Sequence, residues 1–270
     1  MFSASYRVAT VAGIPINVHV SLVLMVLVIA LNLGSLTAGI VLGAGLAVSI
    51  VLHELGHSLV ALRMGCRVRQ ITLMCIGGAA QMEELPTRPR DEFLMAVAGP
   101  AVSLLLGAGG IGAGILLSGL PPFASTGLNL LMLLGALNIG LLLFNLLPSF
   151  PMDGGRVLRA VLTPRLGRLR ATFVASRIGR VMAVLFGIYG FSHEHWFLVF
   201  IAFFVFIVAG KEYEMVKWQE AARRGYGVRP GFEPVYREGD ASGQAVISPP
   251  PYERRRRGVR ADVYTEEDGG

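Results

Sequence analysis

The sequence predicts an all-α polytopic membrane protein with about six transmembrane helices and a small β-hairpin at the membrane surface. Hydrophobic residues make up 53% of the 270 residues, and charged residues only 16%. The mean hydropathy is +0.60, whereas soluble domains carry about 25% charged residues. Several apolar runs reach the roughly 20 residues that a membrane-spanning helix requires. These observations assign residues 1–210 to a membrane-embedded core.

Six apolar runs are the candidate spans. They cover about residues 15–34, 37–62, 92–118, 127–147, 173–192 and 195–210. Three connections, at 34–37, 118–127 and 192–195, contain no Lys or Arg, so the basic connections all fall on the opposite side. Because basic loops are retained in the cytoplasm, this alternation predicts a multi-pass protein with both termini cytoplasmic.

The segment 66–84 is too short and too charged to span a bilayer. Its first part alternates loosely between polar and apolar side chains, and Gly77-Gly78 separates that part from a second short run. Glycine pairs of this kind connect the strands of a hairpin. We therefore expect a β-hairpin at about 66–84 on the cytosolic side, with an irregular loop as the alternative.

The segment 211–270 has the composition of a cytosolic tail. Its beginning, 211–224, favours a short interfacial helix, and the rest is rich in Pro and charge with few large apolar residues. Such a composition buries too little apolar surface to offset the loss of chain entropy on folding. The sequence therefore predicts a short helix followed by disorder.

The net charge of +6 does not indicate a nucleic-acid partner. The tail carries equal numbers of basic and acidic residues, and the excess of basic residues falls in two clusters, at 63–90 and 156–180. Both clusters flank apolar runs, which is the pattern of cytoplasmic membrane loops rather than of a DNA-binding groove. The expected partner of this surface is the lipid bilayer.

The stretch HELGH at 53–57 places three ionisable side chains inside the second apolar run. On a helix, His53 and His57 lie one turn apart on one face, so both imidazoles can reach the same metal ion. Glu54 lies on a neighbouring part of that face, as the base of a zinc hydrolase does. Such groups at membrane depth cost several kcal/mol and usually mark function. The alternative is a pair of core histidines satisfied by backbone groups.

Asp153 is the candidate third ligand. A catalytic zinc site takes three protein ligands and leaves a fourth position open. Residues 1–210 hold seven acidic residues, and the other six belong to the first motif or to flanking loops. Asp153 directly follows a long apolar run that two prolines interrupt, and Gly154-Gly155 permit close backbone approach. Non-helical backbone within a bilayer occurs where it is buried in protein or where it lines a water-filled cavity.

Two motifs together carry a family resemblance. HELGH at 53–57 and NLLPSFPMDGG at 145–155 resemble the paired signature of the site-2 protease family of intramembrane zinc metalloproteases. MAVAGPAVS at 95–103, between them, resembles a further element of that family. The resemblance covers roughly residues 8–210, and two motifs in the right order are more specific than either alone.

The resemblance implies a role for each motif residue. His53, His57 and Asp153 would bind one Zn²⁺ per chain, and Glu54 would act as general base and then as general acid. Asn145 would orient the substrate or polarise the scissile carbonyl, although capping of a broken helix is an alternative for this residue. The implied function is an intramembrane zinc metalloendopeptidase that cuts a membrane-bound protein near its cytosolic boundary, in regulated intramembrane proteolysis. The resemblance further implies a bacterial or archaeal cell membrane.

Departures and alternatives accompany this interpretation. Ser103 stands where many relatives carry Asn, and we expect only a packing difference there. About a dozen residues separate the hairpin from the AGP motif, so no inserted PDZ-like domain is expected, and 60 residues are too few for the paired nucleotide-sensing domains of some relatives.

A metal-ion or proton-coupled membrane transporter is the alternative function, since intramembrane His, Glu and Asp also serve ion transport. A catalytically silent binder of membrane helices is a third.

Overall fold

The structure is a computed structural model that describes residues 5–74, 77–82, 86, 88–118 and 125–223. The helices in these residues are α1 (Ser21–Leu33), α2 (Leu36–Arg63), α3 (Pro89–Leu116), α4 (Ser125–Asn145), α5 (Asp153–Leu166), α6 (Arg168–Ser192) and α7 (Trp196–Arg223). The strands are β1 (Ser5–Val11), β2 (Ile14–His19), β3 (Val68–Met74) and β4 (Gly77–Met82). Helices therefore dominate, as predicted, beside one small sheet.

Four helices, α2, α3, α6 and α7, are long and apolar enough to cross a membrane. They coincide with the predicted spans at 37–62, 92–118, 173–192 and 195–210. The apolar part of α4, Asn129–Asn145, is shorter than a full span by the same measure. Four of the six predicted spans therefore correspond to helices that are long and apolar enough to cross a membrane.

The predicted first span at 15–34 is wrong at its beginning. Ile14–His19 forms strand β2, and α1 has only 13 residues, which cover about 20 Å. Gly34 ends α1 in the left-handed conformation, with φ of 64°, and its N–H donates to the Leu31 carbonyl. The error has a physical reason, because a short apolar run suits a buried strand as well as a helix.

Strands β3 and β4 form an antiparallel pair within the predicted hairpin region. Gly77-Gly78 does not separate the strands, because these residues begin β4 and pair with Met74 and Leu73. The pair belongs to a four-stranded sheet of order β1-β2-β3-β4, in which β2 and β3 are parallel. Strands β1 and β4 are consequently the two edges of the sheet.

Helix α2 lies between the sheet and α3. Two buried clusters join it to the sheet, one formed by Ile14, Leu55 and Ile71 and the other by Leu22, Ile50 and Leu73. Towards α3, Gly56 lets the backbones approach closely, since a Cβ at this position would lie 2.9 Å from the Ala98 carbonyl oxygen. The helix with the HELGH motif is therefore held on both sides.

The predicted break lies between α4 and α5, at residues 146–152. The chain folds tightly here, because a Cβ on Gly154 would overlap the carbonyl oxygens of Leu146 and Leu147. Phe150 and Met152 are buried in clusters with residues of α6 and α7. Tight packing in the break fixes the position from which α5 begins.

The predicted tail helix at 211–224 is the end of α7, which continues from the last span to Arg223. The described residues up to Tyr213 belong to one compact unit, and the end of α7 from Glu214 belongs to a second. The predicted disorder of the tail concerns residues outside the described part.

Candidate metal centre

Three side chains of α2 and α5 converge on one point. The Nε2 atoms of His53 and His57 lie 3.2 Å apart, and Asp153 Oδ2 lies 3.2 Å from the first and 3.1 Å from the second. All three residues are buried, and among the described residues they are the one group of His, Cys, Asp or Glu side chains close enough to hold a metal ion. The structure thus brings the predicted ligands together.

Hydrogen bonds on the far side of each imidazole orient the rings. His57 Nδ1 donates to the Met95 carbonyl at 2.7 Å, which leaves the Nε2 lone pair free. His53 Nδ1 lies 2.9 Å from Ser103 Oγ, and donation to that hydroxyl leaves the second Nε2 free as well. Partners of this kind fix the tautomer and raise the basicity of metal-binding histidines.

The donor set fits zinc. Two unprotonated ring nitrogens and a carboxylate oxygen present only lone pairs to one another, an arrangement that a metal cation between them would stabilise. Zn–N distances near 2.0 Å place tetrahedral ligands about 3.3 Å apart, close to the spacing observed here. Gly99 keeps the space beside the ligands open, because a Cβ there would overlap both Nε2 atoms. Residues His53, His57 and Asp153 can therefore hold the ion.

Asp153 is the first residue of α5, where the helix dipole favours a negative charge. Arg156, in the first turn of the same helix, supplies a nearby positive charge that also favours the ionised carboxyl. The side chain therefore presents a carboxylate to the ion at neutral pH.

Glu54 does not belong to the ligand set. Its Oε2 accepts a hydrogen bond from the Ala80 backbone N–H of β4 at 3.2 Å, and a Cβ on Gly78 would lie 2.7 Å from Glu54 Cγ. The carboxylate thus lies between α2 and the edge strand of the sheet. The sequence indicated the base but not its partner, because the α2–β4 contact is formed by residues distant in sequence.

Asn145 is the last residue of α4, and its Nδ2 donates to the Leu141 carbonyl at 3.0 Å. This bond is the local capping contact that the sequence left open as an alternative. An amide group carries two N–H donors, so the bond to Leu141 leaves one donor for another acceptor. A role of Asn145 at the substrate stays a prediction.

Ser103 is more than the packing difference expected from the sequence. It is fully buried, and its hydroxyl lies within hydrogen-bonding distance of the metal-facing histidine His53. The sequence signal was present, since Ser103 follows the AGP motif by three residues. Its role becomes visible only when α3 is packed against α2.

Replacing Ser103 with Ala should weaken metal binding about 10–100-fold, because His53 loses the partner that fixes its ring. Metal affinity can be measured by competition with a chelator of known affinity. Ser58→Ala is the matched control, since Ser58 is equally buried on α2 and its hydroxyl has no hydrogen-bond partner in the described part of the chain. Equal metal affinities for Ser103→Ala and the wild type would contradict the assignment.

Comparisons with known proteins find relatives among zinc metalloproteases. The sequence profile of peptidase family M50 matches residues 41–128 and 120–186. A zinc metalloprotease of Methanocaldococcus jannaschii is 37% identical over 219 residues, which are 79% of this chain and 62% of that protein. Stage IV sporulation protein FB of Bacillus subtilis is 31% identical over 110 residues, 40% of this chain and 36% of that protein. The chain therefore spans less than two thirds of the length of these relatives.

A solved structure shares the fold. The site-2 protease from Methanocaldococcus jannaschii matches with a TM-score of 0.59 and 33% sequence identity, over 86% of this chain and 100% of the solved chain. The profile match includes the segments that supply His53, His57 and Asp153. The chain belongs to peptidase family M50, the family of the site-2 proteases.

Proposed function

We propose that the chain is an intramembrane zinc metalloendopeptidase that hydrolyses a peptide bond of a membrane-anchored protein near its cytosolic boundary, in regulated intramembrane proteolysis. One observation supports this function above the others. Three buried lone-pair donors converge on α2 and α5, and an additional carboxylate, Glu54, follows the first of them in the chain without joining the set. A purely structural metal site does not require an additional carboxylate that can act as a base.

The residues divide the chemistry between them. One bound zinc ion per chain would act as a Lewis acid. It would lower the pKa of a water molecule to about 7 and would polarise a carbonyl group. Glu54 takes a proton from the attacking water and returns it to the leaving amine. Asn145 donates its second amide hydrogen to the scissile carbonyl oxygen, where negative charge develops. His53, His57 and Asp153 hold the ion.

The outer edge of β4 is the proposed binding site for the scissile segment. Ala80 pairs with Ile71 of β3, but its N–H points to Glu54 rather than into the sheet. A helical substrate must unwind before hydrolysis, and an extended segment can then add to the edge of a sheet through main-chain hydrogen bonds. Addition at β4 would bring the peptide alongside the base.

Ala80→Pro should lower peptide cleavage at least severalfold while metal content stays unchanged. Proline removes the N–H that faces Glu54, yet edge strands tolerate proline where the N–H points away from the sheet. Val8→Pro is the matched control, because Val8 lies at the irregularity of β1, the opposite edge of the sheet. Cleavage assays on purified protein give the result, and equal loss in both variants would contradict the role of β4.

Removal of the metal tests the function as a whole. The purified protein should contain one zinc ion per chain, and chelation should abolish cleavage of a single-span substrate until zinc is returned. A transporter would instead move zinc or protons across proteoliposomes and leave the peptide intact. Zinc-independent cleavage, or zinc-dependent flux without cleavage, would overturn the proposal.

The proposed membrane arrangement has six spans with both termini in the cytoplasm of a bacterium or archaeon. The four long helices supply four crossings, and α4 supplies a fifth. The sixth is α1, whose length of about 20 Å requires a locally thinned bilayer. The relatives from an archaeon and a bacterium support the cellular assignment. The lipid bilayer and a membrane-anchored substrate are the proposed partners, and nucleic acid is not one.

A further inference from the structure

Arg180 of α6 is a cation without an anionic partner in the described part of the chain. Its guanidinium lies 5.4 Å from the centre of the Phe206 ring and against Gly210, where a Cβ would overlap it. The Nε atom is buried and, among the described residues, has no hydrogen-bond acceptor. The aromatic face attracts the cation but does not satisfy the Nε–H.

For a cation at the position of Arg180 along the helices, the lack of an anionic partner among the described residues is unusual. Tyr189 and Trp196 flank the turn between α6 and α7, and aromatic residues of this type lie at membrane interfaces. Gly210, opposite Arg180, is fourteen residues beyond Trp196, or about 21 Å along the helix. That is less than the roughly 30 Å of a hydrocarbon core, so in the proposed membrane arrangement the guanidinium lies just inside the margin of the bilayer. Charges at this depth are normally paired.

Two exposed cations lie near Arg180. Arg177 precedes it by one turn of α6, and Lys211 directly follows Gly210 on α7. The acidic residue next to Lys211, Glu212, is already bound to Arg159 at 2.8 Å. Among the described residues, none of these three cations forms an ion pair with a carboxylate, so the cluster carries an uncompensated positive charge.

The surface between this cluster and the turn is apolar. The exposed side chains there include Val184, Leu185 and Ile188 of α6 and Phe200, Phe203 and Phe206 of α7. An anion that binds the cluster therefore meets hydrocarbon-like surface on one side and three cations on the other. This combination matches a phospholipid, with a charged headgroup and acyl chains, better than it matches a free ion.

We propose that Arg180, Arg177 and Lys211 bind the phosphate of an anionic phospholipid headgroup in the groove between α6 and α7. The planar guanidinium of Arg180 donates two parallel hydrogen bonds to the phosphate oxygens, a geometry that arginine favours. The two exposed cations add electrostatic attraction to the phosphate. The acyl chains lie along the apolar side chains towards the turn.

The test uses the full chain in nanodiscs of phosphatidylcholine to which phosphatidylglycerol is added in steps. Bound phosphatidylglycerol is quantified by native mass spectrometry, and the unfolding temperature is followed in parallel. Arg180→Gln should bind this lipid about fivefold more weakly than the wild type, the effect of one cation at the membrane surface. Arg170→Gln, at an exposed position near the start of α6, should bind it as the wild type does.

A second variant and a second anion test the proposal further. Arg180→Lys retains the charge and should insert normally, yet bind phosphatidylglycerol more weakly because an ammonium group lacks the planar fork. Inorganic phosphate added to pure phosphatidylcholine nanodiscs should leave the unfolding temperature unchanged. Equal lipid binding by the wild type, Arg180→Gln and Arg180→Lys would overturn the proposal. So would stabilisation by inorganic phosphate equal to that by the lipid, which would indicate a site for a free anion.

Discussion

Glu54→Gln should lower peptide hydrolysis by about 10²–10⁴-fold, the usual contribution of a general base, and leave the metal content unchanged. The amide has the shape of the carboxylate and retains an oxygen that can accept the hydrogen bond from Ala80. It cannot take a proton from water. Because Glu54 is not among the buried ligand residues, the metal site itself stays intact.

Asp153→Asn is the informative comparison for Glu54→Gln. It replaces a ligand by a poorer one, so both zinc content and cleavage should fall, whereas Glu54→Gln loses cleavage alone. Zinc analysis and single-turnover cleavage on the same purified samples separate the two patterns. Wild-type cleavage by Glu54→Gln would rule out its role as base, and altered ion flux without any peptidase activity would favour a transporter.

Arg159→Leu should destabilise the protein by about 3–5 kcal/mol, the cost of leaving a buried charge unpaired. Arg159 of α5 is completely buried, and its Nε and Nη2 both lie 2.6 Å from Glu92 Oε1 on α3. Without it, the one cation that remains near the buried Glu92 carboxylate in the described part of the chain is Arg168, whose Nη1 lies 3.8 Å away. The ion pair holds α5, which carries Asp153, against α3.

The double variant Glu92→Leu/Arg159→Leu is the control for Arg159→Leu. It removes both charges, so it should recover most of the stability, as apolar replacements of buried ion pairs often do. Glu212 then loses its partner, but its side chain is 21% exposed and water can solvate it. Unfolding titrations in mixed micelles measure both variants. A double variant as unstable as the single one would show that packing, rather than the unpaired charge, dominates.

The three side chains that converge in the structure could be predicted as candidate ligands because the sequence signal for each is local. His53 and His57 lie one helical turn apart in any helix, and Asp153 was the one acidic residue directly after an apolar run. The membrane helices follow from composition for the same reason, since a long apolar run has few alternatives. These features require no knowledge of how distant segments pack.

The remaining features depend on contacts between distant residues. The parallel pairing of β2 with β3 joins Ile16 to Ile71. Because this contact is not visible in the sequence, the first apolar run was predicted to be a membrane span, although its first residues form a strand. Ser103 and Ala80 acquire their roles only when α3 and β4 lie beside α2. Spacing along one segment carries no signal for such contacts.

The order in which the chain is synthesised has a consequence for the metal centre. Asp153 lies 96 residues after His57, so α2, α3 and α4 are all made before the third donor exists. In the proposed membrane arrangement, both imidazoles therefore enter the bilayer before the third donor is made, and insertion relies on the apolar residues around them. The proposed metal centre can close only after α5, which begins at Asp153, has been made, so metal capture would be a late event in biogenesis.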